Sequence, residues 1–287
     1  MVTLLVIAEQ LSCVTPPFRN PPLVLTVLEI RYPDIAGGLT VDAVAAIKEA
    51  VHDSLPIMVS LVEHQIGVAI DAPAPPQVTL RPSSRFCARD QATALVVRND
   101  ALVLETTDYA GWAEHFGPLT RLVTEALERI CAPDGVLRIG LRYIDEIRVP
   151  GVGGEPEHWD GYINPRLLAA AAADLRPAGM NPTAWQGNIQ YQTDASCALT
   201  VRYGPQTGYA VDPEGPTRRK SVFPSGPYFL LDSDAFWTSD NEIPKFAADG
   251  ILEQCDRVHQ AASDFFKIAV TDKLRTEVFD RHTEDPT

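Results

Sequence analysis

The sequence lacks an excess of basic residues, and this narrows the partners that it can attract. It contains 24 lysines and arginines against 38 aspartates and glutamates, so its formal net charge is -14 at pH 7. A field of this sign repels phosphate backbones and anionic lipids. We therefore expect neither nucleic acid nor a membrane as a partner, and a duplicated sheet acting as a nucleic-acid saddle is disfavoured.

Long hydrophobic runs and paired cysteines are missing as well. No segment approaches the roughly 18 uninterrupted apolar residues that a membrane helix needs. The short apolar run at residues 4–8 has no basic segment before it, so no signal peptide is expected. The five cysteines show no CxxC spacing, which favours reduced thiols over a disulfide framework. These absences predict a soluble, cytoplasmic protein.

Signatures of common enzyme classes are also absent. The chain has no GxxxxGK[ST], no GxGxxG after a predicted strand, no HExxH and no GxSxG, which disfavours nucleotide-dependent, Rossmann, zincin and α/β-hydrolase functions. Cys255 and His259, at i and i+4 on a predicted helix, could form half of a metal site. Because no second ligand pair is nearby, we expect no metal and no other cofactor.

What is present is typical of a globular α+β protein. The 287 residues are 45% hydrophobic, enough to bury a substantial core. Period-two alternation and helical spacing of apolar residues predict the same order of elements twice, in residues 23–131 and again in 136–268. That order is strand, helix, antiparallel strands, helix. Four residues are expected to cap the helices that follow them: Thr40, Asp108, Asn164 and Thr271.

The repeated order suggests two similar halves. We predict an N-terminal lead-in over residues 1–20, a first α+β half over 21–134, and a second half with C-terminal helices over 135–287. An internal duplication would join the halves into one curved sheet with helices on one face. Its sequence anchor is the match between EIRY at residues 29–32 and GLRY at 140–143. Two unrelated α+β lobes are the alternative.

Several short motifs occur in a fixed order along residues 20–280. They are PPL at 21–23 before EIRY, Thr106-Thr107 with Tyr109, Trp112 and Phe116, RIGLRYI at 138–144, Tyr162-Ile163, and His259 followed by Phe266. This arrangement resembles a sporadically distributed family of bacterial proteins with no assigned activity. Asp145 stands where that family more often has Asn. The resemblance implies a bacterial cytoplasmic origin and brings no catalytic residues with it.

Polar side chains share one parity on the predicted strands and form the candidate binding surface. If helices cover the other side, guanidinium and carboxamide groups from both halves lie on one concave face. Such groups match the bidentate geometry of a carboxylate or a peptide backbone. The candidate partner-binding residues are Arg31, Arg138, Arg142, Gln190, Gln192, Asp194 and Arg202. The alternative is a solvated face with cross-strand ion pairs.

Two functional hypotheses follow. The first is a non-enzymatic binding or accessory protein that engages a peptide, a protein partner or a small anionic ligand through the polar sheet face or the groove between the halves. Strand addition at a sheet edge is one mode of such binding. The alternative is an enzyme in which His115 or His259 acts as a base and an arginine holds an anionic substrate. The only basic cluster, residues 218–220, is expected to contact solvent or an acidic partner.

Overall fold

The computed structural model describes residues 18–67, 77–153, 155–169, 177–178, 180, 184–240 and 242–280. Over these residues nine strands form one antiparallel sheet, accompanied by five α-helices, so the predicted α+β class is confirmed. The strands are β1 (Leu23–Arg31), β2 (Ile57–Gly67), β3 (Gln77–Cys87), β4 (Thr93–Val97), β5 (Ala101–Thr106), β6 (Arg138–Ile147), β7 (Gly187–Gln192), β8 (Cys197–Gly208) and β9 (Gly226–Thr238). The helices are α1 (Val41–Val51), α2 (Gly117–Cys131), α3 (Pro165–Leu168), α4 (Ala248–Ala269) and α5 (Asp272–Leu274).

The strand order across the sheet is β2-β3-β4-β5-β1-β6-β9-β8-β7. Strands β1 and β6 are neighbours near the middle, where Leu28 is opposite Leu141. Segment 21–134 supplies every strand on the β1 side of this pair, and segment 135–287 supplies every strand on the β6 side. Each predicted half of the chain therefore forms one lateral half of the sheet.

Alternate side chains of the central strands enter a shared hydrophobic core. On β1, Val24, Thr26, Leu28 and Ile30 are buried, whereas the residues that alternate with them are partly exposed. Helix α4 contacts β6, β8 and β9, and α2 contacts both α1 and α4. Burying one leucine such as Leu28 contributes about 2 kcal/mol to stability. The period-two pattern of the sequence thus decides which side of the sheet packs against α4.

Three of the four predicted helix caps are confirmed. The side chains of Thr40, Asn164 and Thr271 each accept a hydrogen bond from a backbone N–H in the first turn of the following helix. The prediction for Asp108 is wrong, because the chain first bends at Gly111, whose φ of 113° is left-handed, and then forms a π-helical turn over Trp112–Phe116 before α2. The sequence predicts that the helix capped by Asn164 continues to about residue 175, and most of that continuation lies outside the described residues.

The connection between β8 and β9, residues 209–225, is called the strap. The Pro- and Gly-rich sequence over residues 205–227 predicts a longer loop, but β8 continues to Gly208 and β9 begins at Gly226. The strap leaves the second half and crosses to the first, where the Arg218 N–H donates to the Gln91 carbonyl at 2.9 Å. The Pro- and Ala-rich sequence over residues 71–76 predicts a loop, and these residues fall outside the described ones. Among the described helices, none is long and apolar enough to cross a membrane.

Candidate functional site

The strand register places six of the seven candidate residues on one face of the sheet. Directly opposite residues on neighbouring strands point to the same side. Arg31 is opposite Arg138, Arg142 is opposite Asp234, and Arg202 is opposite Asp232. The polar face is the surface formed by Glu29, Arg31, Arg138, Arg142, Gln190, Gln192, Arg202, Asp232 and Asp234. The intervening side chains point the other way, where the Tyr191 ring lies 5.7 Å from the Phe265 ring of α4.

A carboxylate on β9 organises the second-half side of the polar face. The Nε and Nη2 atoms of Arg142 donate to the two oxygens of Asp232, each at 2.7 Å, and Arg202 Nη2 donates to the same carboxylate at 2.6 Å. The Asp232 side chain is only 4% exposed, whereas those of Arg142 and Arg202 are 39% and 56% exposed. Both guanidinium groups keep N–H donors that no described residue accepts, so each can bind a further acceptor.

Near the centre of the sheet, two arginines share a second carboxylate. Arg31 donates through Nε and Nη2 to both oxygens of Glu29, at 2.9 and 3.1 Å, and Arg138 Nη1 donates to Glu29 at 3.1 Å. Arg138 also lies 3.6 Å from Asp234. The Arg31 side chain is 57% exposed. Exposed ion pairs of this kind contribute little to stability. An arginine in such a pair can therefore bind the carboxylate of another molecule instead, at a small cost in free energy.

Arg138 is held more firmly than Arg31. Its guanidinium lies against Gly140, where a Cβ atom would collide with it, and 5.0 Å from the centre of the Phe236 ring. The glycine in the RIGLR motif therefore gives the arginine room to lie flat on the sheet. The cation–π contact restrains it there. Arg138 is accordingly a fixed part of the polar face, whereas Arg31 is the more exposed of the two, at 57% against 26%.

The outermost strand, β7, supplies the carboxamides of the polar face but not Asp194. Gln190 and Gln192 are exposed and lie opposite residues of β8. Asp194 follows the end of β7 in a tight turn, where it accepts hydrogen bonds from the backbone and hydroxyl of Ser196 and pairs with Arg257 of α4 at 2.7 Å. The hydrogen bonds from Ser196 lead the effects that lower the pKa of Asp194 to about 2. The structure does not bring Asp194 to the polar face.

Asp145 is a buried carboxyl next to this site. Its side chain is on the core-facing side of the sheet, and only 4% of the residue is exposed. Burial, followed by the nearby negative charge of Asp232, raises the pKa of Asp145 to about 8. Asp145 is therefore mainly protonated at neutral pH.

Two side chains of the basic cluster, residues 218–220, pair with acids of the same chain. Arg219 donates through both Nη atoms to Glu146, at 3.0 and 3.2 Å, and Arg148 Nε donates to Glu146 at 2.9 Å. The side chains of Arg219 and Glu146 are 3% and 0% exposed. Lys220 pairs with Asp90 and Asp108 in the first half. The expectation of solvent or an acidic partner is therefore wrong for Arg219, whose buried side chain pairs with an acid of the same chain, whereas Arg218 and Lys220 are exposed to solvent.

His259 lies in a packed interface between α4, β6 and the π turn. Its Nδ1 is 2.8 Å from the Tyr143 hydroxyl, and its ring stacks on Trp112 with centroids 4.6 Å apart. Burial lowers the pKa of His259 to about 4, and burial also raises the pKa of the Cys255 thiol. Within the described ranges, no three or more His, Cys, Asp or Glu residues are grouped as metal ligands would be. Both predicted half-site residues are thus part of the interior packing.

His115 instead lines a cavity of about 470 Å³, called the acidic cavity, between the end of α1, the β3–β4 turn and the start of α2. Its walls include Leu55, Asp90, Asp108, Glu114, His115 and Leu119. No arginine is among the lining residues. This cavity does not offer the histidine-plus-arginine arrangement that an anionic substrate would need.

The comparisons with known proteins add no functional assignment. A comparison with protein-family models gives no match for this chain. A comparison with curated proteins gives no match either. The family resemblance drawn from the short motifs stays a prediction, and a function has to be argued from the residues themselves.

Proposed function

We propose that the chain is a non-enzymatic binding protein whose polar face engages an acidic partner, namely a peptide or protein segment, or a small acid, that presents carboxylates. One observation carries the proposal: Arg31, Arg142 and Arg202 come from both halves of the chain, share one face, and each exposes more than a third of its side chain. Guanidinium groups recognise carboxylates through paired N–H donors.

The local charge supports an acidic partner over a basic one. The polar face combines four arginines with three carboxylates, whereas the whole chain has a net charge of -14. The polar face therefore carries a small positive charge on a negatively charged molecule. It would attract an acidic segment once that segment is close. Because these charges are partly solvated, binding should be weak and should decline as salt screens the charges.

We also infer that the two halves arose by internal duplication and form one curved sheet with helices on one face. The strand order supports this, since the strands from β1 outward match those from β6 outward when β2 is set aside as an extra strand. With residues 29–32 aligned on 140–143, Glu29 corresponds to Gly140, and these two residues lie directly opposite each other. An antiparallel pair related by a two-fold axis has such a self-matched position at the axis.

The duplication sharpens the binding proposal. In the same alignment Arg31 corresponds to Arg142, so equivalent arginines of the two halves flank the pseudo-two-fold axis on the polar face. A partner with two carboxylates, or an extended acidic segment, would contact equivalent groups on both sides of that axis. A duplicated origin thus explains why one surface receives arginines from distant parts of the sequence.

The test uses a fluorescein-labelled peptide of eight glutamates and measures its anisotropy as the protein is added at low and at high salt. Wild-type protein should bind the peptide, and the affinity should fall at high salt. Arg31→Glu and Arg202→Glu should each weaken binding about tenfold, which corresponds to 1.4 kcal/mol. Because each reversal also places a carboxylate beside Glu29 or Asp232, the melting temperature is measured for both variants, and binding is compared at a temperature at which both are folded.

The matched control is Arg121→Glu, because Arg121 on α2 is similarly exposed at 53% and pairs with acids away from the polar face. This variant should bind the peptide like wild type. If all three charge reversals weaken binding equally, the cause is the net charge of the protein and not the polar face. This result would contradict the proposal. Binding of a short DNA duplex more tightly than the peptide would instead favour the nucleic-acid saddle.

A further inference from the structure

The outer edge of β7 is open to a further strand. Strand β7 is last in the order of the sheet, and no strand of the described residues pairs with its outer side. Natural proteins usually block such an edge with lysine, proline or a bulge, because its backbone groups pair readily with another chain. The sequence of β7 is GNIQYQ, and its register with β8 has no bulge. This edge therefore carries none of the usual blocks.

The hydrogen bonding between β7 and β8 decides which backbone groups are open. Just beyond β7, the Thr193 N–H donates to the Cys197 carbonyl of β8 at 3.0 Å. The direction of backbone hydrogen bonds alternates along an antiparallel strand. It follows that Asn188, Gln190 and Gln192 direct their N–H and C=O groups away from β8, toward the outer edge. All three residues are exposed.

The polar face beside this edge favours acidic side chains. Asn188 is opposite Arg202, so its side chain points to the same face as those of Gln190 and Gln192. Carboxamides donate hydrogen bonds to carboxylates, and β7 has no acid of its own that would repel one. A residue paired with Asn188 on an added strand would lie about 10 Å from Arg202, because neighbouring strands are about 4.8 Å apart. A glutamate and an arginine side chain together span this distance.

The opposite face of the same edge favours apolar side chains. Ile189 packs against the hydrophobic core, and the Tyr191 ring lies 5.7 Å from the Phe265 ring of α4. Tyr191 remains 42% exposed, so it offers apolar surface to a neighbouring strand. Successive side chains of a strand point to opposite faces. A segment that fits this edge therefore alternates acidic and apolar residues.

We propose that the acidic partner adds such a segment to β7 as a further antiparallel strand. This mode of docking rests on the proposed function and narrows the partner to an extended segment. Antiparallel addition continues the pattern of the sheet, in which every described pair is antiparallel. The acidic residues pair with Asn188, Gln190 and Gln192, and the one beside Asn188 reaches Arg202. A second copy of this chain would present carboxamides there instead of carboxylates.

The test compares three fluorescein-labelled peptides by anisotropy at low salt. The first is EVEVEVE, the second carries N-methyl groups on two inner glutamates, and the third carries them on two valines. In antiparallel addition the glutamates, which share the polar face, direct their N–H groups to β7, whereas the valines direct theirs away. Methylated glutamates should therefore lower the affinity by about tenfold, and methylated valines by less than about threefold.

Two variants of one residue test the same hydrogen bonds from the side of the protein. Gln190→Pro removes an N–H that points away from β8, so it spares the bonds between β7 and β8, and proline is tolerated at such edge positions. It should weaken binding of EVEVEVE by about tenfold. Gln190→Ala is the matched control, because it removes the carboxamide and keeps the N–H, and it should weaken binding by about twofold. The melting temperature of both variants is measured first, and the methylated peptides test the proposal on the unchanged chain.

The possible results separate strand addition from the proposed function. Equal affinity of the three peptides, with a loss on Arg202→Glu, would overturn strand addition and leave recognition of acids by side chains intact. Sensitivity to methylated valines alone would overturn the antiparallel register. A wild-type dimer in sedimentation that dissociates in Gln190→Pro would assign the edge to a second copy and overturn the proposal as well. Failure of both EVEVEVE and the glutamate peptide to bind would remove the proposed function itself.

Discussion

Two buried carboxylates in this molecule are each held by two arginines, and the difference between them separates structure from binding. Glu146 lies beneath the strap with Arg148 and Arg219, and all three side chains are largely shielded from solvent. Asp232 is equally buried, but its partners Arg142 and Arg202 extend into solvent. In the first cluster the arginine donors are directed into the fold. In the second, donors remain for an outside acceptor.

The contrast shows that arginine–carboxylate pairing by itself does not identify a binding site. The exposure of the arginines decides whether they only stabilise the fold or can also bind an outside partner. The strap closes the Glu146 cluster by bringing Arg219 from the second half of the chain, and the Glu146 carboxylate also accepts the Ala210 N–H at 2.8 Å. Over Asp232 no described segment does the same.

The largest expected effect is on the closed cluster. Arg219→Ala would leave the Glu146 charge buried with Arg148 as its only cationic partner, so we expect the free energy of unfolding to fall by about 3–5 kcal/mol. Denaturant unfolding measures this loss. A loss below about 1 kcal/mol would mean that the buried pair does not hold the strap, and it would remove the distinction drawn between the two clusters.

A smaller effect is expected at Asp145, beside the open cluster. Its folded pKa of about 8 lies above the ordinary value of 3.8 for an aspartate, so the folded state binds more protons and loses stability as pH rises from about 4 to about 8. Asp145→Asn removes this loss, and it should raise the free energy of unfolding by about 1–3 kcal/mol at pH 8. Unfolding measured at several pH values should give curves that converge near pH 4. A constant difference between the two proteins at all pH values would exclude burial of the charge as the cause.

The smallest stability effect is expected for the open cluster itself. Arg202→Ala should change the free energy of unfolding by less than about 1 kcal/mol, because Arg202 is more than half exposed and Asp232 keeps both bonds to Arg142. The same variant should still weaken binding of the glutamate peptide. Unfolding and anisotropy measured on one preparation test both statements. A large stability loss with unchanged binding would assign Arg202 to the fold.

Sequence reasoning finds the polar face because strand alternation is a local property. A period of two places Arg31, Arg142 and Gln192 on one parity, and antiparallel pairing carries that parity from strand to strand. Asp194 departs from the pattern because the strand ends two residues before it, and its side chain then serves a turn. Parity predicts orientation only while the strand continues.

The strap contacts could not be predicted in the same way. Arg219 and Glu146 are 73 positions apart in the sequence, and neither carries a local signal that the other is its partner. The failed Asp108 cap has a different origin, because the chain bends at Gly111 and forms a π turn before α2 begins. The acidic cavity also depends on segments that meet only in the folded chain, so its residues appear in the sequence as unrelated acids and one histidine.

The most direct test of the binding proposal is NMR observation of the arginine side-chain Nε–Hε signals during titration with the glutamate peptide. Signals of Arg31, Arg142 and Arg202 should shift together with one dissociation constant, while those of Arg148 and Arg219 should stay unchanged. Shifts confined to other arginines, or no shifts on a peptide that binds, would contradict recognition of an acidic partner at the polar face.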